Sequence, residues 1–201
     1  MTAASPPPAD ASLLIRPMLA ADLDAVLAVA AACPEAPRWT ASDYAAYFAA
    51  SEPAPALVRA AFVAARPAGS ILGFAAATLR PDSDGPNPQS APDSSPLLCE
   101  LDSVAVPPDS RRQGIGAALL RAALAWAAEH AARRFVLEVR ASNTSALALY
   151  CRVGLRIEGR RPRYYAHPEE DALLLGTDVT FAPARNPFST EIPIEGGPPR
   201  C

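Results

Sequence analysis

Arg111-Arg112-Gln113-Gly114-Ile115-Gly116, set within the stretch from Leu101 to Gly154, decides the fold of this chain. The apolar run Leu101 to Val106 precedes it and is ended by Pro107-Pro108; a long apolar-periodic segment follows. Strand, glycine turn and helix in that order build an anion cradle. The glycines allow close backbone approach, and unpaired N–H groups of the first helical turn point at the ligand. A phosphorylated ligand is therefore expected. Two nucleotide-binding alternatives fail on the residues. A dinucleotide fingerprint needs a third glycine where Leu119 stands, and a P-loop needs Gly-Lys-Ser/Thr in a chain without lysine.

Outward from the turn, Ile115 to Ala131 reads as a helix with Ile115, Leu119, Ala122, Ala123, Trp126 and Ala127 on one stripe, so it packs on a sheet. Phe135 to Arg140 reads as a strand. Its alternation sets Val136, Glu138 and Arg140 against Phe135, Leu137 and Val139. Ser142 or Asn143 caps a helix from Thr144 to Arg152, which Gly154 follows. Upstream, Leu97 to Val106 is a fourth strand and Ser12 to Pro17 a first. Between them lie a helix from Ala20 to Ala32, a second helix capped by Thr40 or Ser42, and a hairpin of Leu57 to Ala65 with Ile71 to Leu79. Downstream, Leu155 to Arg163 and Ala172 to Phe181 read as the last two strands, joined by an acidic turn Pro168-Glu169-Glu170-Asp171. One domain over 12–181 is expected, with a mobile loop at 81–96, a disordered leader at 1–11 and a disordered Pro-rich tail at 182–201.

Composition narrows the class. No apolar run reaches the roughly 18–20 residues of a membrane span, and the polar, Pro-rich start is not a secretory signal. A soluble, cytoplasmic protein without membrane contact is expected. Cys33, Cys99, Cys151 and Cys201 stand far apart with only two histidines in the chain, a spacing that indicates neither a metal site nor a disulfide framework. Net charge is −3, yet Arg111 to Arg163 holds eleven arginines against Glu129, Glu138 and Glu158. Arg152, Arg156, Arg160, Arg161 and Arg163 could draw an acidic peptide or ribosomal RNA. A solvated strand face is the preferred reading, and no stable nucleic-acid binding is expected. Monomer and homodimer stay open.

The glycine turn resembles the Q/R-x-x-G-x-G/A pyrophosphate loop of the GCN5-related N-acetyltransferases (GNAT), which bind acetyl coenzyme A. Leu137-Glu138-Val139-Arg140-Ala141-Ser142-Asn143, then Ala146 to Tyr150 and Gly154, is similar to the RimI-like ribosomal-protein-alanine N-acetyltransferases. So is Arg163-Tyr164-Tyr165 with Glu170-Asp171-Ala172 beyond it. The resemblance implies an α/β fold: a mixed, mostly antiparallel seven-stranded sheet splayed between strands 4 and 5, flanked by about four helices. It implies acetyl coenzyme A as cosubstrate, no metal, and an acceptor that is a protein N-terminus, possibly ribosomal. A small amine, a Lys side chain, or a non-catalytic acyl-coenzyme A module are the alternatives. By resemblance, backbone amides of Arg112, Gln113, Gly114, Ile115 and Gly116 take the pyrophosphate, and Val104, Ala105 and Val106 line the pantetheine arm; Arg111 and Arg112 read equally as charge near the phosphates or as solvated surface.

The chemistry sets its own demands. An ammonium cannot attack a thioester, and an α-amine with pKa near 8 is mostly protonated at neutral pH, so some group must accept a proton. Glu138 is the only acid in its strand. Unaided, it reads as a solvated carboxylate or an Arg140 partner; the resemblance makes it the general base. Tyr150 lies seven residues after Asn143 on one helix, so both can face one groove. Unaided, Tyr150 is a packed core residue; the resemblance makes it the general acid toward the thiolate. Asn143 is first a helix cap, to which the resemblance adds a coenzyme hydrogen bond. Trp39 reads equally as substrate mouth or core. Tyr164 and Tyr165 read as acceptor-flanking or as strand aromatics.

Overall fold

Alternation organises the sheet: in the strand β5 (Ala132–Arg140), Phe135, Leu137 and Val139 are buried while Val136, Glu138 and Arg140 are half-buried. The computed structural model describes residues 13–47, 57–66, 69–82 and 96–179. The other strands are β1 (Leu14–Pro17), β2 (Val58–Ala65), β3 (Ile71–Pro81), β4 (Leu97–Ala105), β6 (Arg156–Ala166) and β7 (Glu169–Asp178). They form one seven-stranded sheet in the order β1-β2-β3-β4-β5-β7-β6. Every neighbouring pair is antiparallel except β4 with β5. A parallel pair needs a crossover, and the helix α3 (Ile115–Glu129) supplies it.

Helices cover both faces. Leu119 and Leu120 of α3, with Tyr150 of α4 (Thr144–Val153), pack on Phe135, Leu137 and Val139 from one side. On the other, Val26 and Val29 of α1 (Leu23–Ala31) and Tyr44 of α2 (Ala41–Ala45) pack on Val63 and Phe74. The seven strands, the four helices and their order match the expected fold.

The β4–β5 ladder is short. It runs from Leu97 opposite Ala132 only to Glu100 opposite Val136. Yet β4 keeps pairing with β3 as far as Ala105, and β5 with β7 as far as Arg140. Beyond Glu100 the two strands therefore diverge. Leu101–Ala105 and Leu137–Arg140 become the lips of a V-shaped gap in the middle of the sheet.

Three local readings change. The first helix begins with a 3-10 turn, Ala20–Asp22, because the Asp22 carboxylate takes two bonds from Arg16, 2.5 and 2.8 Å, and one from the Leu19 N–H at 2.8 Å. The acidic run is not a turn: β7 starts at Glu169, with Glu170 opposite Tyr165. Two of its acids have partners on adjacent segments. Glu170 pairs with Arg140 at 3.1 Å and takes the Ser142 N–H, and Asp171 takes the N–H of Arg163 at 2.7 Å. Finally, Cys151 is disulfide-bonded, which cysteine spacing did not indicate, while Cys33 and Cys99 are buried thiols. The leader at 1–11, the tail at 182–201 and most of the 81–96 loop lie outside the described residues.

Asp22 carries a stability prediction. The Arg16 hydrogen bonds, against the opposing effect of burial, hold its carboxyl below the ordinary carboxylate value. A depressed carboxylate stabilises the fold above its unfolded pKa of about 3.9, and that contribution fades as pH falls through the folded value. Asp22→Ala is expected to cost about 1.5–3 kcal/mol at pH 7. In denaturant titrations the difference from wild type should shrink below about pH 4.

Candidate active site

The glycine turn lies where α3 meets the sheet. Gly114 is the N-cap with φ +80°, a left-handed conformation in which a side chain is strained. Arg112 also has positive φ, +66°. The first intrahelical bond runs from the Ala118 N–H to the Gly114 carbonyl, 3.0 Å. The N–H groups of Ile115, Gly116 and Ala117 thus have no helical acceptor, which with the helix dipole makes the turn attractive to an anion.

Two further glycines let this turn sit against its neighbours. A Cβ on Gly116 would lie 2.9 Å from the Leu149 Cδ2 of α4, and one on Gly73 would lie 2.8 Å from the Ala105 carbonyl oxygen, with Ile115 at 3.3 Å. Gly73 sits in β3 and was not singled out in the sequence, since nothing local marks it. The two sites differ in what must yield. Leu149 can turn its terminal methyl away, whereas the β4 backbone cannot. Gly73→Ala is expected to lower stability by about 1–3 kcal/mol and Gly116→Ala by less, as compared by chemical denaturation midpoints.

Arg111 does not turn its charge toward the cradle. Its Nε donates to the Val106 carbonyl at 2.8 Å, and its guanidinium pairs with Glu35 in the loop after α1. Its backbone alone remains for the cradle, and the side chain staples the turn to the end of β4. The Gln113 side chain reaches back toward the Asp109 carbonyl at 3.4 Å. Val104 and Ala105 lie on the β4 lip, and Val106 immediately beyond it has its carbonyl engaged by Arg111.

The candidate catalytic groups fall on opposite faces of the gap. Tyr150 is 6% exposed and packs in the core beneath α3 and α4. Burial pushes its phenol pKa well up, with Tyr165 adding to the shift, so the proton stays on. Asn143 at the start of the same helix accepts the Ala146 N–H at 3.2 Å, the expected cap; its amide nitrogen has no partner among the described residues. Glu138 lies on the other face, the one covered by α1 and α2, because Leu137 and Val139 on either side of it belong to the α3–α4 core.

Around Glu138 stand the residues of the β6–β7 hairpin. The Arg161 Nη1 lies 3.1 Å from the Glu138 Oε1. The same carboxylate raises the pKa of the neighbouring Tyr164 phenol. Tyr164 and Tyr165 meet edge to face with ring centroids 5.1 Å apart, and the Arg140 guanidinium lies 4.1 Å over the Tyr165 ring. Of the readings open to Glu138, the pairing with Arg140 does not form, since Arg140 faces Glu170. Trp39 joins the other core, stacked on Tyr47 at 5.5 Å and edge-on to Tyr44 at 5.2 Å. That contact favours its packing reading.

On the β4 lip, two residues were missed. The Ser103 hydroxyl is buried without a hydrogen-bond partner among the described residues. Asp102 accepts a bond from Thr78 Oγ1 at 2.7 Å, and burial pushes its pKa up. Polar residues in an apolar strand are the only sequence signal for either. Among the described residues no group of His, Cys, Asp and Glu could hold a metal ion, and no helix is long and apolar enough to cross a membrane.

A cradle at a helix start, a parallel pair splayed beside it, and a hairpin closing the far side recur in a known set of proteins. Residues 23–155 match the Acetyltransferase (GNAT) family. The chain belongs to the GNAT family. Ribosomal protein bS18-alanine N-acetyltransferase of Escherichia coli (strain K12) is 37% identical over 83 residues, 40% of this chain and 56% of that protein. N-alpha-acetyltransferase RimI of Mycobacterium tuberculosis is 34% identical over 117 residues, 58% of this chain and 65% of the relative. The matched region thus spans little more than half to about two thirds of these relatives. Among solved GNAT structures, that of the Escherichia coli ribosomal-protein-S18-alanine N-acetyltransferase superposes with TM-score 0.60 at 26% identity, covering 87% of this chain and 97% of that one. Arabidopsis thaliana NAA60 in complex with acetyl-CoA gives TM-score 0.70 at 18% identity over 84% of this chain and 99% of that one. The second likeness speaks to the fold alone.

Proposed function

We propose that the chain transfers the acetyl group of acetyl coenzyme A to the N-terminal α-amine of a protein by direct attack. The observation that carries this reading is the placement of the two candidate groups across the gap. Tyr150 lies on the α3–α4 side, with the cradle, and Glu138 lies on the α1–α2 side. The donor enters along the cradle and the β4 lip, its pyrophosphate on the amides of Arg112 to Gly116 and its pantetheine amides against Val104 and Val106. The acceptor amine arrives from the opposite face. Family membership supports the donor, and the names of the relatives support an N-terminal acceptor, a ribosomal protein among the candidates.

The steps then balance. Glu138, directly or through one water, takes a proton from the ammonium. The free amine nitrogen attacks the thioester carbon, whose oxygen is met by a backbone N–H of the β4 lip. The C–S bond breaks, Tyr150 protonates the leaving thiolate, and the surplus proton of the newly acylated nitrogen returns the Tyr150 phenolate to its phenol form. No covalent acetyl-enzyme forms. Tyr164 and Tyr165 flank the acceptor's first residue.

A panel of N-terminal peptides and small amines, followed by acetyl-dependent thiol release, tests the proposal. Turnover of peptides with free N-termini, and not of the same peptides blocked at the α-amine, is the expected result. Turnover confined to small amines would refute the protein acceptor, and no thiol release with any amine would leave only a binding module.

A further inference from the structure

In the acceptor-free protein the candidate base already has a cation. Arg161 Nη1 sits 3.1 Å from Glu138 Oε1, and its guanidinium lies 5.6 Å over the ring of Tyr164. An ammonium arriving at Glu138 therefore meets a positive charge that must yield, since like charges at this range repel. Arg161 differs from its neighbours in what it could turn to. Arg140 is held by Glu170 at 3.1 Å and by the carbonyls of His167 and Pro168, and Arg160 by Asp171 at 2.5 Å. For Arg161 the structure shows Glu138 as its carboxylate. Its side chain is 54% exposed against 20% for Glu138. It also stands where the β6–β7 ladder breaks, since pairing stops at Arg161 opposite Ala172 and resumes only at Tyr165 opposite Glu170. The guanidinium can swing outward without cost to the sheet.

We propose that Arg161 is a specificity residue, resting on the reading of Glu138 and an N-terminal acceptor given above. It passes from Glu138 to a carboxylate at the second or third residue of the acceptor, so acidic N-terminal segments are acetylated in preference to neutral ones. The exchange conserves ion pairing: Arg161 gains the acceptor's carboxylate, and Glu138 gains the ammonium. A neutral acceptor offers Arg161 nothing in return and must compete with it for Glu138. The arginine run on β6 then has one member with a function, while the others serve as strand-face charges.

The test uses peptides that differ only by Glu against Gln at position two or three. Wild type is expected to favour the Glu peptide by about tenfold in kcat/KM, with the ratio falling as salt is raised. In Arg161→Gln the ratio should approach one, and Arg161→Lys should retain part of it. A merely structural role for Arg161 would lower both peptides together and leave the ratio intact. Equal rates for the two peptides in wild type, or a ratio that survives Arg161→Gln, overturn the inference while N-terminal acetylation stands. Failure of every N-terminal peptide while small amines react removes the proposed acceptor and this inference with it.

Discussion

Glu138→Gln is expected to lower kcat by roughly 10²–10⁴-fold while leaving acetyl coenzyme A affinity near wild type. The substitution keeps the side chain's shape and removes the negative charge that can accept a proton. It leaves intact the cradle and the β4 lip, on which donor binding is proposed to depend. Isothermal titration with the coenzyme and single-turnover kinetics with an N-terminal peptide separate the two effects. Full turnover in Glu138→Gln would end its assignment as base. The ion pair with Arg161 makes the experiment sharper, since losing that pair alone would disturb a half-exposed contact worth about 1 kcal/mol or less. That cannot account for a hundredfold loss, which needs about 2.7 kcal/mol.

Tyr150→Phe is expected to act on the other half of the reaction. It removes the phenol hydroxyl and keeps the ring that packs against the core, so the fold is little changed. With burial holding the phenol pKa well above neutrality, the hydroxyl carries its proton throughout the working range and is a competent donor. We expect kcat to fall by about a hundredfold, with the loss smaller for donors whose thiol leaves more readily without protonation. Comparing acetyl coenzyme A with an activated acetyl thioester of a more acidic thiol measures this. An equal loss with both donors would remove the general-acid role and leave Tyr150 a packing residue.

Much of the fold was legible because short-range rules govern it. The Gly114-x-Gly116 spacing marked the turn, period-two alternation placed Glu138 away from Leu137 and Val139, and Asn143 and Thr40 announced their helices as caps. What escaped was set by partners distant in sequence. Glu170 and Asp171 read as part of an acidic turn, whereas Arg140 and the Arg163 N–H hold them across the hairpin. Arg111 read equally as charge near a phosphate or as solvated surface, and its pairing with Glu35, far upstream, is a contact no local pattern encodes. Gly73 carried no local signal because its constraint is the Ala105 carbonyl on the next strand. Trp39 fitted two roles equally by sequence, and its stacking on Tyr47 is a contact no periodicity encodes.

The gap between β4 and β5 has a consequence for what can enter it. Each of these strands is interior at one end and an open border at the other, where half of its backbone groups lack a ladder partner. Borders of that kind normally invite another protein's strand. Here the border is internal, flanked by β3 on one side and β7 on the other and closed where Glu100 meets Val136, so a flat sheet cannot approach it sideways. A thin chain bearing amides can. The fold thus leaves an unpaired stretch inside its own hydrogen-bond lattice, closed to another sheet and suited to the amide-bearing pantetheine arm proposed to lie there.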